Sequence, residues 1–539
     1  MHSNRSTEGY TTAEHSHGDQ SEDIELEAFL EDGHSSDDEG DDNIGRPRGR
    51  PARQNRLDGR AAQTYTASEE RAVLRKLDRH LVFFLAILYM LSFLDRSNIG
   101  NAKIAGLTDD LRISSDEYDW VLTAFYITYI LFEWMTLLYR VVPPHIYISI
   151  CVAAWGLIAS LQCLATTFTS LLVLRALLGI SEAAFGPGVP FYLSFFYRRE
   201  ELAFRTGLFI SAAPLATSFA SSLAWLIVKV GIHGPISPWR LLFLVEGFPS
   251  VIVAVSAWSY IPDSPRTARF LDPAEKKIAE LRLHDSSVTS DKSRSIAGPG
   301  LQWKEIGRTL LDPKSYITAM MFFSCNVAFS SLPPFLPTII KDMHYSPLMS
   351  QALSAPPYLF AFVVVIFTTW ASDRRKARSP YLIFHSILGS LGYAWLALSG
   401  HLRWTSIIRY AGTFAAAAGF FSAVALIITW TMDNRHAAEG KGTGVALMNI
   451  IGQLGPLVGT RLYPDNDAPY YVKGMSICAA FMLAVGVLTV LLRYILRREN
   501  MHLEGESIYE ILREGNEAET SQYERTKPET RQNKVLNIL

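Results

Sequence analysis

Twelve stretches of about twenty mostly apolar residues constrain this chain more than anything else in it. They lie near 81–104, 120–139, 146–166, 170–196, 206–229 and 240–261, then near 316–340, 350–371, 381–399, 405–431, 443–463 and 474–495. At about 1.5 Å per residue, each is long enough to cross a hydrocarbon layer of about 30 Å. Backbone inside lipid must satisfy its own hydrogen bonds, so the windows read as helices. The expected fold is an all-α polytopic membrane protein with twelve transmembrane helices in two six-helix halves. The polar segment from Pro262 to Lys314, with DPAEKKIAELRL and a Ser-rich run, separates the halves. The expected organisation is an N-terminal tail over 1–75, a first half over 76–261, a central loop over 262–315, a second half over 316–496 and a C-terminal tail over 497–539.

Composition supports this reading. Of 539 residues, 49% are apolar and only 19% charged, against about a quarter charged in soluble proteins. Many charges sit in the tails, in runs such as SSDDEGDD and RPRGRPARQNR. The N-terminal tail, poor in aromatics and rich in Ser, Asp, Glu and Gly, is expected to be disordered. Its segment Arg46-Pro47-Arg48-Gly49-Arg50-Pro51 is shaped like a minor-groove DNA element. Beside a membrane, a basic Pro-rich stretch is expected to be a solvated tail or a contact for anionic lipid, and no nucleic-acid partner is expected. The net charge of −2 also points to no polyanionic partner. Cys151, Cys163, Cys325 and Cys478 lie in or beside apolar windows without metal-ligand spacing. The tract Gly440-Lys441-Gly442-Thr443-Gly444 lacks the upstream glycine of a phosphate loop and reads as a helix start. No nucleophile, metal or cofactor constellation stands out, so neither enzyme activity nor a cofactor is expected.

The first seventy residues hold no apolar stretch, so insertion is expected to begin with the first window. Lys and Arg set its direction. With the N-terminus in the cytosol, cytosolic loops collect roughly twenty basic residues and the opposite loops roughly eight. The loop after the first window is acidic, with Asp109, Asp110, Asp116, Glu117 and Asp119. Both termini are therefore expected in the cytosol, and the plasma membrane is the expected location.

Ionisable residues inside the windows carry the functional information, because a charge near the bilayer centre is costly and needs a partner or a cavity. The first window holds Asp95-Arg96 and the fourth holds Arg175 and Glu182. Asp95 lies about 21 Å along its helix from Leu81, and Arg175 about 12 Å from the far end of the oppositely directed fourth helix. The two arginines are thus placed at similar depth. Asp95 and Arg96 point about 100° apart, so they need not pair. Seven residues put Arg175 and Glu182 on one face. Arginine offers a fixed fork for a carboxylate, and a carboxyl partly removed from water can exchange a proton near neutral pH. The set suits a proton-coupled anion carrier, with Arg96 and Arg175 on the substrate and Asp95 and Glu182 on the proton. A salt-bridge lattice between helices fits the same residues.

Tyr129, Asn449 and Gln453 are further candidates for the substrate site, and a bond to a neighbouring helix fits each of them equally. Tyr126 and Asn326 offer hydroxyl and amide groups that can line a cavity or bond a neighbouring helix, and for Tyr126 the helix contact is expected. Glu133 shares a face with Tyr129. Arg240 and Glu246 flank the start of the sixth window and are expected to form an ion pair there. Gly186-Pro187-Gly188, Pro190, Pro356-Pro357, Gly452, Gly455, Pro456 and Gly459 permit kinks and close helix approach.

Several stretches resemble one family. LDRSNIGNAKIAGL from Leu94 and RALLGISEAAFGPG from Arg175 resemble the anion:cation symporter branch of the major facilitator superfamily. WRLLFLVEGFPS from Trp239, FLPTIIKDMHYS from Phe335 and LSAPPY from Leu353 extend the likeness over both halves. APYYVKGM from Ala468 is similar to fungal members related to allantoate permease and the high-affinity nicotinic acid transporter. The resemblance implies proton-coupled uptake of a small organic anion such as nicotinate, allantoate or pantothenate. It assigns anion or proton binding to Asp95, Arg96, Arg175 and Glu182, and a substrate-site tyrosine to Tyr129. The chain departs from the superfamily pattern after the second window. A G-x-x-x-D-R-like signature is usual there, and LLYRVVPPHIY keeps only Arg140, whereas the second half keeps Ser372-Asp373-Arg374.

The expected partners are therefore a small organic anion, protons and membrane lipid, with the chain acting as a monomer. Two other functions remain open at this level. One is export of an anionic secondary metabolite, although the fifth window, GLFISAAPLATSFASS, lacks the G-x-x-x-G-P of drug:proton antiporters. The other is a nutrient receptor that no longer transports.

Overall fold

The computed structural model of the chain describes residues 65–231, 235–294, 303–434 and 438–520. The expectations for the N-terminal tail, including Arg46 to Pro51, fall on residues 1–64 and lie outside the described residues, as does the C-terminal stretch 521–539.

Among the described residues, ten helices are long and apolar enough to cross a membrane. In chain order they include α1 (Ala67–Leu111), α3 (Pro144–Leu164), α4 (Phe168–Leu193), α5 (Arg199–Gly231) and α6 (Pro238–Tyr260). The segment α2 (Ser115–Phe132) lies between α1 and α3. It is acidic in its first turn and runs on as the 3-10 stretch Glu133–Arg140. The central segment is not a bare loop: it carries α7 (Pro273–Arg294) and α8 (Trp303–Leu311). The second half then holds α9 (Pro313–Lys341), α10 (Pro347–Arg374), α11 (Ser379–His401), α12 (Ser406–Asp433), α13 (Ala438–Gly452, resumed as Gly455–Gly459) and α14 (Val472–Thr520). Among the described residues, α13 adds a shorter apolar helix to these ten, and α2 occupies the place of the second expected window.

Local sequence explains the ends. Thr66 with Glu69, Ser114 with Glu117 and Thr167 with Ser170 form capping boxes at α1, α2 and α4. Proline opens α3, α6, α9, α10 and α11, where its missing N–H is not needed. The Gly/Pro-rich stretches interrupt α4 between Glu182 and Phe185 and α13 between Gly452 and Gly455. In α1, Gly106 adopts φ of 100°, a left-handed backbone that kinks the helix before its last turn.

Apolar side chains such as Val255, Phe367 and Val490 point outward, while Asp95, Asn98, Arg175, Glu182 and Glu246 are buried. This inverts the soluble pattern and suits a lipid solvent. At the end of the bundle nearer the central segment, Arg282 of α7 is fully buried between Glu70 and Glu201. Arg205 grips Asp78 through two nitrogens, at 2.6 and 2.8 Å. Arg282 thus fastens the central segment to the starts of α1 and α5, and Arg205 ties those two starts to each other. In the second half, Arg378 bonds Asp373 at 2.7 Å and Asp433 at 3.0 Å.

The halves meet tightly at the opposite end. A Cβ at Gly100 would overlap the carbonyl of Pro334, so α1 and α9 touch backbone to backbone. Lys103 reaches Asp465 at 3.4 Å, Thr123 and Thr460 share a hydrogen bond of 3.1 Å, and Gln351 donates to the Asn101 carbonyl at 3.3 Å. Gly100→Val is expected to hold this end apart. Transport should drop at least tenfold, and a cysteine in place of Asn101 should label faster with an impermeant thiol reagent. Equal labelling in both backgrounds would show that this contact does not close the bundle.

Candidate functional site

Behind that contact lies a cavity between the halves. Arg96 from α1, Tyr126 from α2 and Arg175 from α4 line it on one side, and Phe329, Ser330 and Pro334 from α9 on the other. Its volume is about 20 Å³, room for roughly one water. The site is therefore nearly collapsed on itself.

Arg96 is the hub. Its Nη2 donates to Oε2 of Glu182 at 2.8 Å and its Nε at 3.3 Å, while the Ser92 hydroxyl donates to the same oxygen at 2.9 Å. Its guanidinium also lies 4.9 Å from the Phe125 ring centre and 5.0 Å from that of Tyr129. Aromatic faces suit a planar cation away from water. One charge pair is thus met between α1 and α4, while Oε1 of Glu182 keeps no hydrogen-bond partner.

Arg175 differs. It is 1% exposed, and its Nε and Nη2 have no hydrogen-bond partner. Its guanidinium lies 5.7 Å from the Phe243 ring centre. A buried donor fork without an acceptor is costly unless something else supplies one. Asp95 is not on the cavity wall. It turns to α6, where Ser250 donates to it at 3.2 Å. The 100° step between neighbours thus sends Arg96 and Asp95 to different faces of α1.

The structure therefore brings Arg96, Arg175, Glu182 and Tyr129 together and sets Asp95 behind them. Asn449 is buried and Gln453 half-buried on α13, and neither belongs to the cavity wall. Asn326 donates to the Gly452 carbonyl at 3.1 Å, tying α9 to α13. Tyr126, expected in a helix contact, lies on the cavity wall instead, because α2 turns that face toward α9. The expected ion pair of Arg240 with Glu246 does not form. Arg240 donates to the Cys163 carbonyl at 2.6 Å, and both carboxyl oxygens of Glu246 lack a hydrogen-bond partner. Six helical positions turn two side chains about 120° apart, so they face different neighbours. Glu133 is likewise buried without a hydrogen-bond partner.

Sequence reading missed Ser92, Phe93, Phe125 and the α9 wall. The run SSLPPFLP held a signal for that wall, since three prolines in one spanning helix mark a place where helices approach closely.

The sequence profile of the Major Facilitator Superfamily matches residues 85–460. An uncharacterised transporter of Schizosaccharomyces pombe is 31% identical over 441 residues, covering 81% of this chain and 88% of its own length. The high-affinity nicotinic acid transporter of Saccharomyces cerevisiae is 31% identical over 434 residues, covering 80% of this chain and 79% of its own. Among solved structures, the proton:xylose symporter XylE bound to 6-bromo-6-deoxy-D-glucose superposes with a TM-score of 0.60 at 12% identity, covering 77% of this chain and 95% of that one. That last likeness concerns the fold alone. With its apolar helices packed around a cavity, the chain is a membrane transporter, not an enzyme, and it belongs to the Major Facilitator Superfamily.

Proposed function

We propose that this transporter takes up a small organic anion, a carboxylate of the nicotinate, allantoate or pantothenate kind, by proton symport. The observation that carries the reading is Arg175, a buried guanidinium on the cavity wall whose Nε and Nη2 have no hydrogen-bond partner. A carboxylate matches that fork in charge and in plane. Phe93, Phe125 and Phe329 suit a flat or apolar body beside the carboxylate. The likeness to a nicotinic acid transporter favours the same class.

Proton coupling follows from competition for Arg96. While ionised, Glu182 occupies Arg96; protonated, it releases the guanidinium to the incoming anion. Proton and anion then load together, and neither is left as an uncompensated buried charge. Tyr129 holds Arg96 in place through its ring. Asp95 acts as a second carboxyl on the other face of α1. Asn449 and Gln453 join the site in the conformation that opens the cavity. The basic loops put both termini in the cytosol, the plasma membrane is the site of uptake, and the monomer is the working unit.

The test is uptake of labelled nicotinate, pantothenate and allantoate by cells lacking their own carriers, at acidic and neutral pH. One of the three should accumulate, several-fold faster at acidic pH, and a protonophore should abolish accumulation. Accumulation indifferent to the protonophore would remove the coupling. No uptake of any of the three would remove the substrate class.

A further inference from the structure

Glu246 takes no part in the cavity, yet it is 1% exposed with both carboxyl oxygens lacking a hydrogen-bond partner. It lies in the membrane part of α6, one turn before Ser250 and on the same face. Ser250 donates its hydroxyl to Asp95. The two helices run antiparallel: Ser250 meets Asp95, while Ser237 and Trp239 meet Asp110, both at 2.7 Å. Moving from the Asp95–Ser250 contact toward Asp110 therefore leads to Asn98 after about 4.5 Å and to Glu246 after about 6 Å. The Asn98 amide is also buried, with neither end hydrogen-bonded. Two polar side chains with unmet hydrogen bonds thus stand at one level of the α1–α6 seam.

Charge decides what Glu246 can be. Among the described residues, the cations on and around α6 are engaged elsewhere: Arg96 with Glu182, Lys103 with Asp465, His145 with Asp263, Arg205 with Asp78 and Arg240 with a carbonyl. Arg175 lies over Phe243. The ionisable group that the geometry brings nearest on α1 is Asp95, bonded to Ser250 one turn from Glu246 and of the same sign when ionised. An ionised carboxylate with no donor, no cation and an anionic neighbour is far costlier to bury than a neutral acid.

We propose that Glu246 is a third proton-holding carboxyl, beside Glu182 and Asp95, exchanging its proton with Asp95 through the Ser250 hydroxyl, on the face of α1 turned away from the substrate cavity. In the transfer the Glu246 O–H bond breaks and Ser250 Oγ takes that proton. The proton of Ser250 passes to Oδ2 of Asp95. Glu246 ends as a carboxylate and Asp95 as an acid, with Ser250 unchanged. A rotation of the Glu246 side chain along its helix face brings it to Ser250. The relay lies between α1 and α6 of one half, so it does not need the route between halves that the anion uses. It rests on the proton-coupled reading above for what the proton drives, not for where the proton sits.

The experiment uses the full chain in lipid nanodiscs and proteoliposomes. Infrared difference spectra across a pH titration need no substrate. A carboxylic-acid carbonyl band present in the wild type should vanish in Glu246→Gln, shift its titration in Asp95→Asn, and exchange deuterium at least tenfold more slowly in Ser250→Ala. With labelled nicotinate as probe, Glu246→Gln should lower the ratio of gradient-driven uptake to equilibrium exchange at least tenfold. A wild-type band that survives in Glu246→Gln overturns the proposal. So does a band that ignores both pH and Asp95→Asn, which marks a static buried acid. So does a coupled wild type whose uptake-to-exchange ratio is unchanged in Glu246→Gln. If the wild type moves nicotinate without protons, the functional reading fails, and the infrared titration still decides for or against the Glu246–Asp95 exchange. Should Glu246→Gln not fold, Glu246→Asp should move the band to a new frequency and titration rather than remove it, Ser250→Ala still reads the deuterium exchange, and a band unchanged in Glu246→Asp overturns the proposal.

Discussion

Arg175→Ala is expected to reduce anion transport by about a hundredfold without destabilising the folded chain. The two halves of that result have different causes. A bidentate pair with a substrate carboxylate supplies about 3 kcal/mol, and 1.4 kcal/mol corresponds to a factor of ten. The folded state loses little, because Nε and Nη2 make no hydrogen bond within the protein. Removing an unmatched buried charge relieves the cost of desolvating it. A lattice of structural salt bridges predicts the reverse, with a lower melting temperature and only a secondary loss of transport. Arg175→Lys separates charge from shape. A lysine keeps the charge but not the fork, and should recover less than a tenth of wild-type transport. Uptake kinetics beside thermal unfolding of the purified protein decide the matter, and wild-type uptake in Arg175→Ala would end the carboxylate assignment.

Glu182→Gln is expected to uncouple transport from the proton. Glutamine has the shape of the protonated acid and cannot return to a carboxylate. Arg96 then stays available to the anion at every pH, so binding should lose its pH dependence and the chain should no longer accumulate substrate against a gradient. A stability cost accompanies this, since Arg96 loses the carboxylate held at 2.8 Å. Breaking one side of a buried pair costs about 3–5 kcal/mol. Bound anion should restore part of it, which a thermal shift with and without substrate measures. Continued accumulation in Glu182→Gln with a wild-type pH profile would show that Glu182 does not carry the coupling.

The membrane helices were legible because their signal is local. A run of about twenty apolar residues has one way to satisfy its backbone in lipid. The same holds for the capped starts at Thr66, Ser114 and Thr167. Less local features were harder to read. The window at 443–463 did not show that α13 is broken between Gly452 and Gly455. Helices α7 and α8 escaped a reading tuned to apolar windows, since Arg282 is buried by ion pairs rather than by apolar neighbours.

Within the site, the sequence by itself determined which residues are expensive: Asp95, Arg96, Arg175 and Glu182 are charges in windows where charges are costly. Helical periodicity also told that Asp95 and Arg96 diverge. Only the tertiary structure decided the partners. It gave Glu182 to Arg96 across two helices, left the Nε and Nη2 of Arg175 without a hydrogen-bond partner, and turned Asp95 to Ser250. It also separated Arg240 from Glu246, which sequence proximity had joined. The reason is physical. Membrane helices carry their own backbone hydrogen bonds, so each can form from its own sequence. The pairing of side chains between helices depends on rotation and depth, which packing sets through contacts far apart in the chain.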